Sequence, residues 1–350
     1  MIRKTLVRAA VAFGLLAVTP PPAMAIPVFA HRSGLSCQAC HTIVPHLTPF
    51  GEAFLARGYR LPIDAIRPTF PIALKANLAY SSEPDGSRLP KAVVDEVEVL
   101  TGGSLGRTDS YFAEAYIVDG GRPGSIRDAW YARAIGAVQA TVGQFTLPLP
   151  VDPETFRETS AHLALYDQTV GANPFNFFDA KQGVSLRTGS NAANATFSAL
   201  AGHDKQSGLP TASVDRMVSV QAARGFYIAS AYRYDGVRQL PTGGDRFWRQ
   251  AAALAYASDR LRVDATLQTG NDAGPNIRSS GGFLQVRYAF GDSLAATVRY
   301  DGTNDTTFAR SLLVGVSRRL SRNTRLSVEG IIAHTPQTKH TLNAAYLFAY

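Results

Sequence analysis

Cys37, Cys40 and His41 stand in the run Cys37-Gln38-Ala39-Cys40-His41, two thiols three residues apart with an imidazole directly after the second. That spacing is the attachment signature of a c-type haem. Its two vinyl groups become thioethers to Cys37 and Cys40, and the ring nitrogen of His41, about one helical turn beyond Cys37, is placed to bind the iron. The chain has 2 cysteines, and the motif takes both. Three other chemistries are open to thiols at this spacing. A redox dithiol expects a βαβ setting that is not found here, a disulfide leaves His41 without a role, and zinc requires further ligands that no nearby cysteine provides. The expected cofactor is one covalent haem c.

The second axial ligand is harder to read. Apart from Met1 and Met24 the only methionine is Met217, in a segment patterned as a strand, so a His/Met pair would need a ligand from the far part of the chain. His31 lies just before the motif and has the better reach around the ring edge; His46, five residues past His41, is expected to point elsewhere. A surface histidine explains His31 equally well, and an open or water-bound site is a further possibility.

The elements around the motif agree with a tethered haem. Residues 1–25 read as a secretory signal: Arg3, Lys4 and Arg8, an apolar run from Ala9 to Val18, and an Ala23-Met24-Ala25 cleavage site. Haem is joined to such motifs outside the bacterial cytoplasm, so export just ahead of Cys37 is what the chemistry requires. Residues 26–69 then form a small segment. Ser36 is placed to cap a short helix carrying Cys37 and His41, and a second helix has Thr48 as cap, Pro49 at its first position and Gly58 as terminator. Phe50 and Phe54, four apart, would share a face with Leu47 or Leu55 nearby. That face is either an ordinary amphipathic core or a wall against the porphyrin, with Gly51 leaving room for close approach.

Formal charge is +8, and removing the three signal cations lowers it to +5, with no clustered Lys/Arg tract, so nucleic acid is not an expected partner. No apolar run after residue 25 is long enough for a spanning helix. From Thr69 onward, short period-two segments are separated by Gly, Asp, Asn, Ser and Pro. Leu342, Ala344, Tyr346, Phe348 and Tyr350 share one face of the last segment. Leu261, Val263, Ala265 and Leu267 alternate with Arg262, Asp264, Thr266 and Gln268, and Leu294, Ala296, Val298 and Tyr300 with Ala295, Thr297 and Arg299.

A soluble β-sandwich alternates in the same way, but the connections favour a barrel. Long ones are expected at 82–90, 148–178, 203–212, 236–244, 270–280 and 301–307. Tight ones fall at Ser190-Asn191, Ser258-Asp259, Gly291-Asp292 and Ser321-Arg322-Asn323, and a connection near 102–108 is longer than the rule wants. Long loops on one rim and short turns on the other, over about 16 antiparallel strands, describe an outer-membrane β-barrel spanning residues 70–350. In lipid every backbone amide must be satisfied internally, so an exported chain without a spanning helix crosses only as a closed barrel. An even strand count returns the carboxyl terminus and the start of the barrel to the short-turn, periplasmic rim, from which the haem segment is expected to enter the lumen as a plug.

The run Ser33-Gly34-Leu35-Ser36-Cys37-Gln38-Ala39-Cys40-His41-Thr42, then Pro45, Leu47-Thr48-Pro49-Phe50-Gly51, Phe54 and Gly58-Tyr59, resembles the amino-terminal haem segment of the fused outer-membrane monohaem cytochrome-porin family, which includes cytochromes that oxidise ferrous iron at the surface of iron-oxidising bacteria. The sequence-level match covers residues 26–60. Across the barrel it is one of pattern and order. The resemblance implies electron transfer across the outer membrane between an extracellular donor such as Fe(II) and a periplasmic cytochrome or other carrier. The terminal Tyr350 resembles the aromatic signal read by the barrel assembly machinery.

Asp152, Glu154, Glu158, His162 and Asp167 in the long 148–178 loop are hard ligands able to hold a ferrous ion briefly; solvated loop charge explains them as well, and the loop has the alternative of folding inward to narrow the pore. Two other functions are carried forward, a haem-bearing diffusion porin and a periplasmic haem enzyme such as a peroxidase on a soluble β-scaffold.

Overall fold

The computed structural model describes residues 29, 35–43, 46–61, 72–82, 91–151, 161–201, 213–305, 308–321, 323–335 and 337–349. The signal segment, His31, Asp152, Glu154, Glu158 and Tyr350 lie outside the described residues.

Polar and apolar side chains alternate along the strands, and the alternation is inverted relative to a soluble protein. Along the strand Leu261–Asp272, Arg262, Asp264, Thr266 and Gln268 are buried, whereas Leu267 is 74% exposed. Along Leu294–Asn304, Thr297, Arg299 and Asp301 are buried and Val298 and Tyr300 are exposed. A face that exposes Val, Leu and Tyr while burying Arg and Asp suits hydrocarbon outside and a packed polar interior. This removes the soluble β-scaffold on which the haem-enzyme alternative stood.

The strands are β1 (Ala73–Ser81), β2 (Lys91–Ser104), β3 (Asp109–Asp119), β4 (Arg122–Pro123), β5 (Ile126–Ile135), β6 (Val138–Phe145), β7 (Lys181–Gly189), β8 (Ala193–Ala201) and β9 (Asp215–Arg224). They continue with β10 (Tyr227–Leu240), β11 (Gly243–Ala257), β12 (Leu261–Asp272), β13 (Ile277–Ala289), β14 (Leu294–Asn304), β15 (Phe308–Arg319), β16 (Thr324–Thr335) and β17 (Gln337–Ala349). β4 is a two-residue piece inside the β3–β5 connection, which leaves sixteen staves. Each pairs antiparallel with its chain neighbour, and β1 pairs with both β2 and β17, so the sheet closes without an edge.

One rim has only short turns, including 105–108, 136–137, 225–226 and 258–260, so the connection near 102–108 obeys the rule after all. Tyr227, Tyr288 and Phe290 are exposed beside this rim; Tyr227 packs edge-on against Tyr256 at 5.5 Å and Tyr288 against Phe290 at 5.0 Å, the aromatic girdle expected at a bilayer interface. On the other rim the long connections are 82–90, 146–180 and 202–214.

Three expected long loops are not loops. Strands β10 and β11 run through 236–244 with only residues 241–242 between them, and the turns near 270–280 and 301–307 shrink to 273–276 and 305–307. The glycines that read as turn punctuation serve as strand residues making space. A Cβ on Gly236 would come within 2.8 Å of Asp215 and Phe247, and one on Gly270 within 2.5 Å of Arg249. Across a crowded polar lumen, a glycine opposite a large side chain is what lets the strand continue.

Two segments fold into the lumen. Helices α1 (Cys37–Cys40) and α2 (Pro49–Ala56) sit at the short-turn end, where Arg319 and Arg262 near their strand ends reach Thr42 and Glu52. The 146–180 connection, with its one-turn helix α3 (Ala164–Asp167), folds inward in the other half. There Phe175 and Phe177 pack against Tyr232, Tyr234 and Phe247 in a cluster that also buries Leu147, Leu163, Leu165 and Tyr166. The inward alternative for this loop is the one observed.

Candidate functional site

Local chemistry builds the site around His41. Helix α1 is a single turn ending at Cys40, so His41 follows the helix instead of lying on it, and it pairs with Leu47 in an isolated antiparallel bridge. The intervening turn is held by Thr42 N–H donating to His46 O at 3.1 Å and His46 N–H to Ile43 O at 2.8 Å. Thr48 then ties both helices together. Its hydroxyl donates to Ala39 O at 2.6 Å and accepts from Gly51 N–H at 3.1 Å, while its N–H donates to Cys40 O at 2.9 Å. Pro49 occupies the first turn of α2, and Gly58, with φ 62°, ends it, its N–H bonded to Leu55 O at 2.8 Å. Gly51 does make room for a close approach, but the group approaching is the backbone carbonyl of Cys40.

The aromatic face of α2 departs from expectation. Phe54 is buried, while Phe50 is 43% exposed. Phe54 packs on Phe29 at 5.1 Å and Tyr59 at 5.4 Å, and Tyr59 stacks on Trp130 of β5 at 5.6 Å. Pro49, Glu52, Leu55 and Ala56, on the neighbouring face, instead line a cavity of about 1140 Å³ that also takes in His41, His46 and Leu47. A helix repeats every 3.6 residues, so 49, 52 and 56 share one side and 50 and 54 another.

The cavity lies between α2, the barrel wall (Leu100, Phe112, Trp130, Arg187, Arg262, Arg325) and the descending stretch Leu147–Pro150, and it opens among the short turns at Asn191, Ser258 and Asp292. His46, which the spacing from His41 directs elsewhere, is buried and lines the same cavity as His41. Burial, followed by the nearby Arg287 and Arg262 cations and His41, holds its imidazole well below the usual histidine range, in the neutral form. Glu52 is raised by burial and partly held down by Arg262, whose Nη1 donates to it at 3.3 Å.

Met217 is not brought to this site. It is 1% exposed within the aromatic cluster of the other half, on β9. Of the loop residues considered for a ferrous ion, His162 faces Asp167 at 3.7 Å and stacks on Phe178 at 4.1 Å; among the described residues no group of three such ligands converges.

The inward loop is anchored by charge. Arg299 donates to the carbonyls of Ala161 at 3.1 Å and His162 at 2.7 Å, Ala161 N–H to Glu329 at 3.1 Å, and Asn173 to Asp245 at 2.9 Å and Asp272 at 3.0 Å. Arg238 and Asp215, both fully buried, pair at 2.6 Å, with the guanidinium over Phe175 and Phe247.

No family model and no curated protein matches the sequence. The fold is similar to those of several solved outer-membrane channels. An anion-selective porin from Comamonas acidovorans aligns at 12% identity with a TM-score of 0.63, over 80% of this chain and 98% of its own. Salmonella typhi OmpF, in complex with daunomycin, aligns at 10% identity and TM-score 0.64, over 80% and 97%. The outer membrane channel DcaP of Acinetobacter baumannii aligns at 12% and 0.58, over 80% and 96%. At these identities the likeness is one of architecture, and by that measure the chain has the porin-type sixteen-stranded barrel.

Proposed function

We propose that this chain is a bacterial outer-membrane barrel that carries one covalent haem c at its periplasmic mouth and passes electrons between an extracellular donor, Fe(II) among the possible ones, and a periplasmic carrier. The single observation that carries the reading is the Cys37-x-x-Cys40-His41 run, whose His41 lines a cavity of about 1140 Å³ at the short-turn end of the lumen. Two thiol positions on one turn, an adjacent imidazole and partly apolar walls from Leu47, Leu55, Leu100 and Phe112 are the groups a tethered porphyrin requires. When bound, the haem supplies one-electron redox chemistry. Cys37 and Cys40 would hold it covalently and His41 would ligate its iron, while Thr48 ties the backbone of Ala39 and Cys40 to the start of α2. His31 and His46 are the candidates for the second axial position. Packing supports transfer of charge over free diffusion: the inward loop and the paired charges leave Arg238, Asp215, Asp245 and Asp272 without solvent exposure, where an open pore would wet them.

A second reading, a haem-bearing diffusion porin, is favoured by the likeness to porins and by the opening of the cavity at the short turns. One preparation separates the two. Purified protein in liposomes enclosing an electron acceptor is expected to reduce it from an impermeant external donor, to lose this with His41→Ala, and to exclude neutral sugars. A sample without pyridine-haemochrome absorbance overturns the haem assignment; size-dependent sugar uptake without electron transfer establishes the diffusion porin.

A further inference from the structure

Four buried arginines of the lumen are neutralised by carboxylates. Arg238, Arg249, Arg262 and Arg299 each hold a carboxylate, at 2.6, 2.8, 3.0 and 2.6 Å. Desolvating a guanidinium is costly unless an anion faces it, so this pairing is expected of a packed interior. Arg187, unlike these four, meets a backbone carbonyl, as Arg319 does, and of those two it is the one that lines the cavity. On β7 it faces inward, half-buried, between the outward Leu186 and Thr188, two residues from the short-turn end of its strand. It lines the same cavity as His41, and its polar partner among the described residues is a neutral one, the carbonyl of Ala56 at the end of α2, at 2.5 Å.

A guanidinium has five donors in a planar fork, and one bond to a carbonyl leaves the remainder for a bidentate acceptor. The barrel wall therefore presents a cation, uncompensated by any carboxylate among the described residues, to the cavity that His41 also lines, fixed by the helix that follows the Cys37-x-x-Cys40-His41 run. The geometry points to Arg187 as the carboxylate-binding position of this cavity, its ligand a propionate of the haem tethered at Cys37 and Cys40. The assignment rests on the proposed haem. It adds to the covalent tether a second point of attachment, which fixes the rotation of the macrocycle within the barrel and raises its potential by balancing the propionate charge.

The test uses the full-length haem-loaded protein in detergent or lipid, with barrel folding checked by heat-modifiable gel migration. Arg187→Gln is expected to keep the parent's haem content by pyridine haemochrome, to lower the midpoint potential, because an uncompensated anion favours ferric iron, and to shift the propionate-bending bands of the resonance Raman spectrum. Arg187→Lys is expected to restore the potential, which separates charge from packing. Added succinate should leave the parent unmoved; a succinate-dependent potential would identify a free carboxylate as the ligand and overturn the assignment. Arg187→Gln with full haem and the parent's potential and bands also overturns it, with the electron-transfer reading left standing. A parent that carries no haem overturns both.

Discussion

The two segments that fold into this barrel are held in different ways. The 146–180 loop is locked by buried charge and stacked rings: Arg299, Glu329, Asp245 and Asp272 grip its backbone and Asn173, while Phe175 and Phe177 fill the space between Tyr232, Tyr234 and Phe247. The α1–α2 segment is held by scattered contacts, Arg319 on Thr42, Arg187 on Ala56, Arg262 on Glu52 and its own Arg60 on Gln139 and Thr108, with one aromatic patch through Tyr59 and Trp130. The first arrangement fills its half of the lumen; the second leaves a large cavity on one side of a helix. A constricting loop would have every reason to pack, whereas a segment carrying the proposed haem would have to leave room for it.

That contrast can be broken experimentally. The largest effect is expected from replacing Cys37 and Cys40 together by serine, which should abolish covalent haem while the barrel keeps its folded gel migration; a barrel that fails to assemble would make the segment structural. Arg238→Ala, which leaves Asp215 buried and unpaired in the loop-bearing half, should destabilise the protein by about 3–5 kcal/mol in urea titrations followed by tryptophan fluorescence. Phe175→Ala opens the ring cluster and should cost about 3 kcal/mol and raise single-channel conductance, with an unchanged conductance arguing against the loop as the constriction. The smallest effect is expected at Thr48→Ala. Losing the cap should weaken α2 by about 1 kcal/mol, visible as faster amide exchange over residues 49–56 with the strands unaffected.

Much of this was legible in the residues. Thr48, Pro49 and Gly58 delimit α2 because caps and terminators act on groups three or four residues away, and the alternation in Leu261–Asp272 reads directly as two faces. Other features were not. Gly236 and Gly270 looked like turns because a glycine's partner, here Phe247 or Arg249, sits on a different strand. Phe50 and Phe54 read as either a helix core or a porphyrin wall because aromatic side chains four apart mark a face, and which face meets the cavity depends on where Trp130 and Phe112 stand. His46 was set aside on spacing, and the turn at 43–46 brings it back beside His41.

By itself the sequence determined the local helix ends and the two-faced strands, and it supplied the Cys37-x-x-Cys40-His41 spacing on which the proposed haem rests, all of which depend on neighbours within about one turn or one residue of pleat. Only the tertiary structure decided that the apolar face looks outward, that Met217 stays in the far half, that the long loop turns inward and that Arg187 meets no carboxylate among the described residues. These depend on closure of β1 against β17, which brings together residues hundreds of positions apart, and no local pattern records which of them will face one another.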